Sequence, residues 1–133
     1  SGLIAKLCNN LLLGISMLGP PGLNPQVLAH ILNTSTGTCW PSETKCPAPG
    51  ALKEMQYSPT AEREWEDGFA TKLMTKYLGL AQDAAKMEGV HMALGTLTSN
   101  VYLDLAQNEA FQHKDLSVVF KALSAALGNE RLR

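Results

Sequence analysis

A chain of 133 residues with 45% apolar and 17% charged side chains is long enough for one domain with a core, and its composition is ordinary for a soluble globular protein. Its formal net charge of −1 excludes a nucleic-acid or anionic-membrane surface, because counterion release needs clustered Lys and Arg, and its apolar runs are too short to span a bilayer. Cys8, Cys39 and Cys46 are odd in number and lack Cys-x-x-Cys spacing. They form neither a disulfide framework nor a zinc site, which fits a reducing compartment. His30, His91 and His113 lie far apart without ligand spacing, so no metal site is expected.

The pattern is helical throughout. Ile4, Leu7, Leu11, Ile15 and Leu18 recur at helical spacing and predict a first helix over residues 2–18, broken by Gly19-Pro20-Pro21-Gly22. Asn24 reads as an N-cap and Pro25 as the first residue of a short second helix, with Val27, Leu28, Ile31 and Leu32 as its stripe and its end near Asn33. Residues 34–68 hold Pro41, Pro47, Pro49 and Pro59 with Gly37, Gly50 and Gly68, and predict one long loop of the functional or disordered kind. Its acidic cluster Glu62, Glu64, Glu66 and Asp67 reads as a solvated stretch. Phe69, Leu73, Tyr77, Leu80 and Ala84 trace a third helix ending near Gly89. Met92, Leu94, Leu97, Val101, Leu105 and Ala106 supply a fourth. Asp115 caps a fifth carrying Leu116, Val119, Phe120, Leu123, Ala126 and Leu127, with Gly128 as its stop. No β-alternating run of useful length occurs, so the fold class is all-α, with five or six helices and one long loop.

Four patches could carry chemistry. Lys6 and Asn10 are four apart, so on a helix their side chains leave one face about a turn apart, with Gly2 one turn before them. A lysine held among apolar groups loses hydration, which disfavours its charged form and suits it to proton transfer. An amide one turn away can orient a substrate hydroxyl or carboxylate, and a glycine leaves room for a ligand at the backbone. The bland alternative is a polar stripe in water. The hydroxyl-rich run Asn33-Thr34-Ser35-Thr36-Gly37-Thr38-Cys39-Trp40 caps and turns a helix end or donates to a carboxylate, and Ser35 lacks a pairing base. Trp40 reads as a packing anchor for the loop. Gly68-Phe69 stands with Lys76 on the third helix; Phe69 and Lys76, two turns apart, either flank a planar ring ligand or are a buried ring and an exposed cation. Asp115 with Ser117 is explained by capping.

These segments together resemble the β-hydroxyacid dehydrogenases, over nearly the whole chain. Gly2-x-x-x-Lys6-x-x-Asn9-Asn10 is similar to the family's catalytic segment. Gly22-Leu23-Asn24-Pro25, Leu28-Ala29-x-Ile31-Leu32-Asn33 and Ser35-x-Gly37-x-Cys39-Trp40 are similar to its next helix and loop. Phe69-x-x-x-Leu73-x-x-Lys76 and Leu78-Gly79-Leu80-Ala81-Gln82-Asp83 resemble its cofactor-facing helix. Asp115-x-Ser117-x-Val119-Phe120 resembles its last. The fold implied is the helical C-terminal domain of the 6-phosphogluconate dehydrogenase-like type.

The resemblance is closest to the branch that oxidises 3-hydroxyisobutyrate to methylmalonate semialdehyde in valine catabolism. It implies Lys6 as general acid/base, Gly2 and Asn10 at the substrate, and Phe69 and Lys76 at the cofactor, NAD. It further implies a small hydroxy-acid substrate and a homodimer or homotetramer formed through the helical domain. The location implied is the mitochondrial matrix in a eukaryote and the cytoplasm otherwise. Glyoxylate/succinic-semialdehyde or tartronate-semialdehyde reduction and a non-catalytic helical oligomerisation module are the competing readings.

Three departures stand out. No strand–Gly-x-Gly-x-x-Gly–helix unit occurs in these residues. A dinucleotide-binding Rossmann half is therefore expected outside residues 1–133, which alone should not turn substrate over. The first helix is two to three turns shorter than in relatives. Tyr77 stands where relatives usually carry Asp after the lysine, with loss of a polar contact to Lys76 as the expected consequence.

Overall fold

The computed structural model describes residues 2–16, 24–52 and 59–126. Six α-helices run in the order α1 Gly2–Ser16, α2 Pro25–Asn33, α3 Trp40–Glu43, α4 Thr71–Met87, α5 Ala93–Gln107 and α6 Val119–Ala126. Two 3-10 turns, Thr60–Arg63 and Leu116–Val118, precede α4 and α6 respectively. The described residues contain no strand, and Ala70 and Asp115 form an isolated antiparallel bridge. The all-α expectation holds.

The local signals at α2 act as read. Asn24 Oδ1 accepts from the amides of Gln26 and Val27 at 3.0 and 3.1 Å, and Pro25 opens the helix. Gly89 takes φ +66° behind α4, the left-handed residue that commonly ends a helix. Met17, Leu18, the Gly19–Gly22 breaker, Leu23, Leu127 and Gly128 lie outside the described residues. Asp115 caps a 3-10 turn rather than a helix, since its carboxylate accepts from Ser117 N at 3.0 Å and α6 starts only at Val119.

The helical faces correct the sequence stripes only in part, since Leu105 is buried and Phe69 and Val101 pack onto the core as read. In α4 the buried residues are Thr71, Met74, Leu78 and Ala81, whereas Leu73 and Leu80 are exposed. In α5 they are Gly95, Thr98, Tyr102 and Leu105, whereas Leu94 and Leu97 are exposed. The helices approach closely. A side chain at Gly14 of α1 would meet Met74, Thr98 and Leu78, and one at Gly95 would meet Leu11 and Gln82. Small residues at these crossings let the backbones come together against the large core side chains Met74 and Leu78.

The three long helices α1, α4 and α5 are antiparallel in sequence. Leu7 lines a cavity with Ala81, Ala84 and Ala85, while Gly14 sits against Met74 and Leu78. Thr75 Oγ1 donates to the Tyr102 carbonyl at 2.8 Å. The central core is Met74, Leu78, Tyr102, Leu105, Leu116 and Val119, with Leu11, Phe69 and Phe111 packed onto it. Tyr102 is fully buried, and its hydroxyl donates to the Leu116 carbonyl at 3.0 Å. Burial, reinforced by the Asp115 charge, pushes that phenol far above its usual value.

The stretch expected as one long loop is only partly irregular. It holds α3 and the Thr60–Arg63 turn, and residues 53–58 lie outside the described set. Trp65, not Trp40, is its packing anchor. Trp65 is buried with Ala61 and Val118, and its indole donates to the Pro47 carbonyl at 3.2 Å. Trp40 is 50% exposed. The backbone turns through positive φ at Glu64, Trp65 and Asp67, a strained course that packing of Trp65 against the core offsets.

Candidate active site

Lys6 and Gly2 are exposed on α1, and a side chain at Gly2 would meet nothing within 4 Å. Asn10, one turn beyond Lys6, is 8% exposed, and its Nδ2 has no hydrogen-bond partner among the described residues. The stripe is therefore split. Neither the wholly solvated reading nor the desolvated lysine is observed: this chain buries the amide and leaves the ammonium in water. A buried donor without an acceptor is disfavoured by about 1–3 kcal/mol, a state that Gln82 Nε2 shares.

Tyr77 of α4 joins two patches that the sequence kept apart. Its half-buried ring lies 5.1 Å from Lys6 Nζ and is stacked on the Phe69 ring, with centroids 6.0 Å apart and planes at 28°. The Phe69 ring is half-buried and Lys76 is exposed, as the plainer reading of that pair has it. Phe69 precedes α4, so helical spacing does not align it with Lys76. The side of α4 that carries Lys76 also carries the exposed Leu73 and Leu80.

Phe69 is held from behind by Asp115. The carboxylate is fully buried and accepts from Phe69 N at 2.8 Å, Lys45 Nζ at 2.7 Å and Thr60 Oγ1 at 2.8 Å, as well as from the amide and hydroxyl of Ser117. Burial alone raises the carboxyl's pKa, but the Lys45 ion pair and the Ser117 donors outweigh it and hold the group below the usual carboxylate range. Gly68 makes this possible, since a Cβ there would overlap the Asp115 carboxylate. Leu116 N closes the arrangement on the Phe69 carbonyl at 2.8 Å. Capping was thus an incomplete account of Asp115: it is the hub that fixes the loop, the start of α4 and the Phe69 backbone. Lys45 and Thr60 had no sequence signal, because their partner lies 70 and 55 residues away.

The hydroxyl run after α2 is capping. Thr34 Oγ1 and Ser35 Oγ donate to the carbonyls of His30 and Ile31 at 2.8 and 2.6 Å. The N-terminal amides of α4 are likewise satisfied internally, Thr71 N by the Lys114 carbonyl and Lys72 N by that of Gln112.

The arrangement thus brings together an exposed amine, Lys6, and two stacked rings, Tyr77 and Phe69, with Asn10 buried one turn along α1 and exposed Leu73 and Lys76 on a neighbouring side of α4.

The family model described as the NAD-binding domain of NADP-dependent 3-hydroxyisobutyrate dehydrogenase matches residues 1–123. Mouse and human mitochondrial 3-hydroxyisobutyrate dehydrogenases are 39% and 41% identical over 132 residues, covering 92% of this chain and 38% of each relative. A solved Mycobacterium tuberculosis 3-hydroxyisobutyrate dehydrogenase with L-serine superposes with a TM-score of 0.79 at 32% identity, over 90% of this chain and 42% of that one. The shared fold and matching sequence define a helical domain of an NAD-dependent dehydrogenase family. The chain belongs to the 3-hydroxyisobutyrate dehydrogenase family and spans about 38% of the length of these curated relatives.

Proposed function

We propose that this chain is the substrate-side helical domain of a dehydrogenase that oxidises 3-hydroxyisobutyrate to methylmalonate semialdehyde, the valine-catabolism reaction. The observation that carries the reading is the pairing on α1 of an accessible amine, Lys6, with the buried Asn10 amide one turn away, whose Nδ2 has no partner among the described residues. Lys6 takes the proton of the substrate hydroxyl and returns it in the reverse direction. Asn10 donates to a substrate oxygen, and Gly2 leaves the approach to the α1 backbone open. Phe69 and Lys76 contact the cofactor. The bound nicotinamide dinucleotide supplies the hydride acceptor.

A dinucleotide-binding half elsewhere in the polypeptide furnishes the other wall of the cleft and strips water from Lys6, which this chain leaves exposed. Docking of that half also covers Leu73 and Leu80, beside Lys76. The family description names both NAD and NADP, and the proposed cofactor is NAD, held mainly by that other half. The names of the mammalian relatives support a mitochondrial location. The proposed assembly is a homodimer or homotetramer through helical faces, to which exposed Leu12, Leu94 and Leu97 lend an apolar surface. That surface also favours the second reading, a helical oligomerisation module without catalysis.

The test joins this chain to a dinucleotide-binding half and measures turnover of Lys6→Ala. A loss of about 10²–10⁴-fold in kcat is expected for removal of a general acid/base. Turnover within a few-fold of the parent contradicts the assignment and leaves the module reading.

A further inference from the structure

We propose that Tyr77 is a positioning residue for Lys6: its ring face, fixed from behind by Phe69, holds the ammonium where α1 meets α4. This rests on reading Lys6 as the acid/base. A lysine side chain is a flexible four-carbon stem with a compact charge at its tip, and a general base acts only within hydrogen-bond reach of its proton. An exposed ammonium therefore needs a partner that narrows its range. Lys6 Nζ lies 5.1 Å from the Tyr77 centroid, inside the distance at which a ring quadrupole attracts a cation.

The ring is itself constrained. It stacks on Phe69, whose amide donates to the buried Asp115 carboxylate and whose carbonyl accepts from Leu116 N. The constraint thus runs from the buried Lys45–Asp115 pair through two aromatic rings to the amine. A ring also differs from a carboxylate in what it does to the proton. A carboxylate would pair with the ammonium and favour its charged form. The neutral ring orients the nitrogen without placing a second charge beside it. Tyr77 makes these contacts through its ring, so the hydroxyl is dispensable to the proposal.

The experiment uses two readouts. Lysines of the 133-residue chain are reductively ¹³C-methylated, and the Lys6 signal is assigned with Lys6→Arg. A Lys6 resonance displaced upfield by the ring current is expected in the parent and in Tyr77→Phe, and is expected to vanish in Tyr77→Leu. Phe69→Leu, which removes the backing ring without touching Tyr77, should reduce the displacement and serves if Tyr77→Leu fails to fold. In the chain joined to a dinucleotide-binding half, Tyr77→Leu should lower kcat about ten-fold with KM nearly unchanged, and Tyr77→Phe should restore it. A Lys6 resonance indifferent to Tyr77→Leu overturns the proposal. So does an unchanged kcat in Tyr77→Leu when Lys6→Ala abolishes turnover. If Lys6→Ala itself retains turnover, the acid/base reading falls and takes the catalytic role of Tyr77 with it, while the resonance still reports the ring contact.

Discussion

Lys45 and Asp115 stand 70 residues apart in sequence and 2.7 Å apart in the fold, and their pairing decides where Phe69 sits. Removing one partner of such a pair leaves a buried charge uncompensated, so Lys45→Ala should destabilise the chain by about 3–5 kcal/mol, measurable by urea unfolding. The pH dependence has a definite sign. Asp115 is held below its ordinary value, so the unfolded chain binds that proton more readily than the native one. The contribution is complete above the ordinary carboxylate pKa of about 3.9 and is lost as pH falls through the native value. Stability of the parent should therefore drop on acidification below about pH 4. Lys45→Ala, by removing the main opposing charge, should bring the native pKa toward the unfolded value and flatten that acid loss. A variant with the parent's acid limb would show that the pair does not set the carboxyl's ionisation.

At the scale of elements, two glycines of similar appearance in sequence do opposite work. Gly68 lets the backbone lie against the Asp115 carboxylate, and Gly68→Ala forces an overlap there, with an expected cost of about 1–3 kcal/mol. Gly79, inside α4, has open space where a Cβ would stand, with nothing within 4 Å, so Gly79→Ala should be neutral or stabilising by up to about 1 kcal/mol through helix propensity. Thermal melts of the two variants check both signs. The helices themselves were legible because capping and periodicity are local: Asn24-Pro25 opened α2, and Gly89 closed α4. Their buried faces were less so. Leu73 and Leu80 lie on the exposed side of α4, whereas Met74 and Leu78 meet α1 at Gly14, beside Thr98. Hydrophobic spacing ranks side chains by water avoidance and is blind to the close approach that small residues permit.

At the scale of the whole molecule, an all-α fold was readable from the absence of alternating runs, and family membership from ordered motifs that local physics could not weigh singly. The site was readable only in parts. Lys6 and Asn10 shared a stripe in sequence, yet the fold gives them opposite environments, the amide buried and the amine exposed. Tyr77, the link between Lys6 and Phe69, looked like a lost polar contact, because a ring's partners across two helices leave no trace in spacing. On the surface of this chain Lys6, Leu73 and Leu80 are exposed, as the proposed docking of a dinucleotide-binding half requires.

The central claim is that the Lys6 amine moves the proton. Chemical rescue tests it most directly, in the chain joined to a dinucleotide-binding half. Lys6→Ala should be slow, and added small primary amines should restore turnover in a concentration-dependent way that follows amine basicity. A Lys6→Ala variant that is slow but indifferent to every added amine, or one that needs none, would contradict the account.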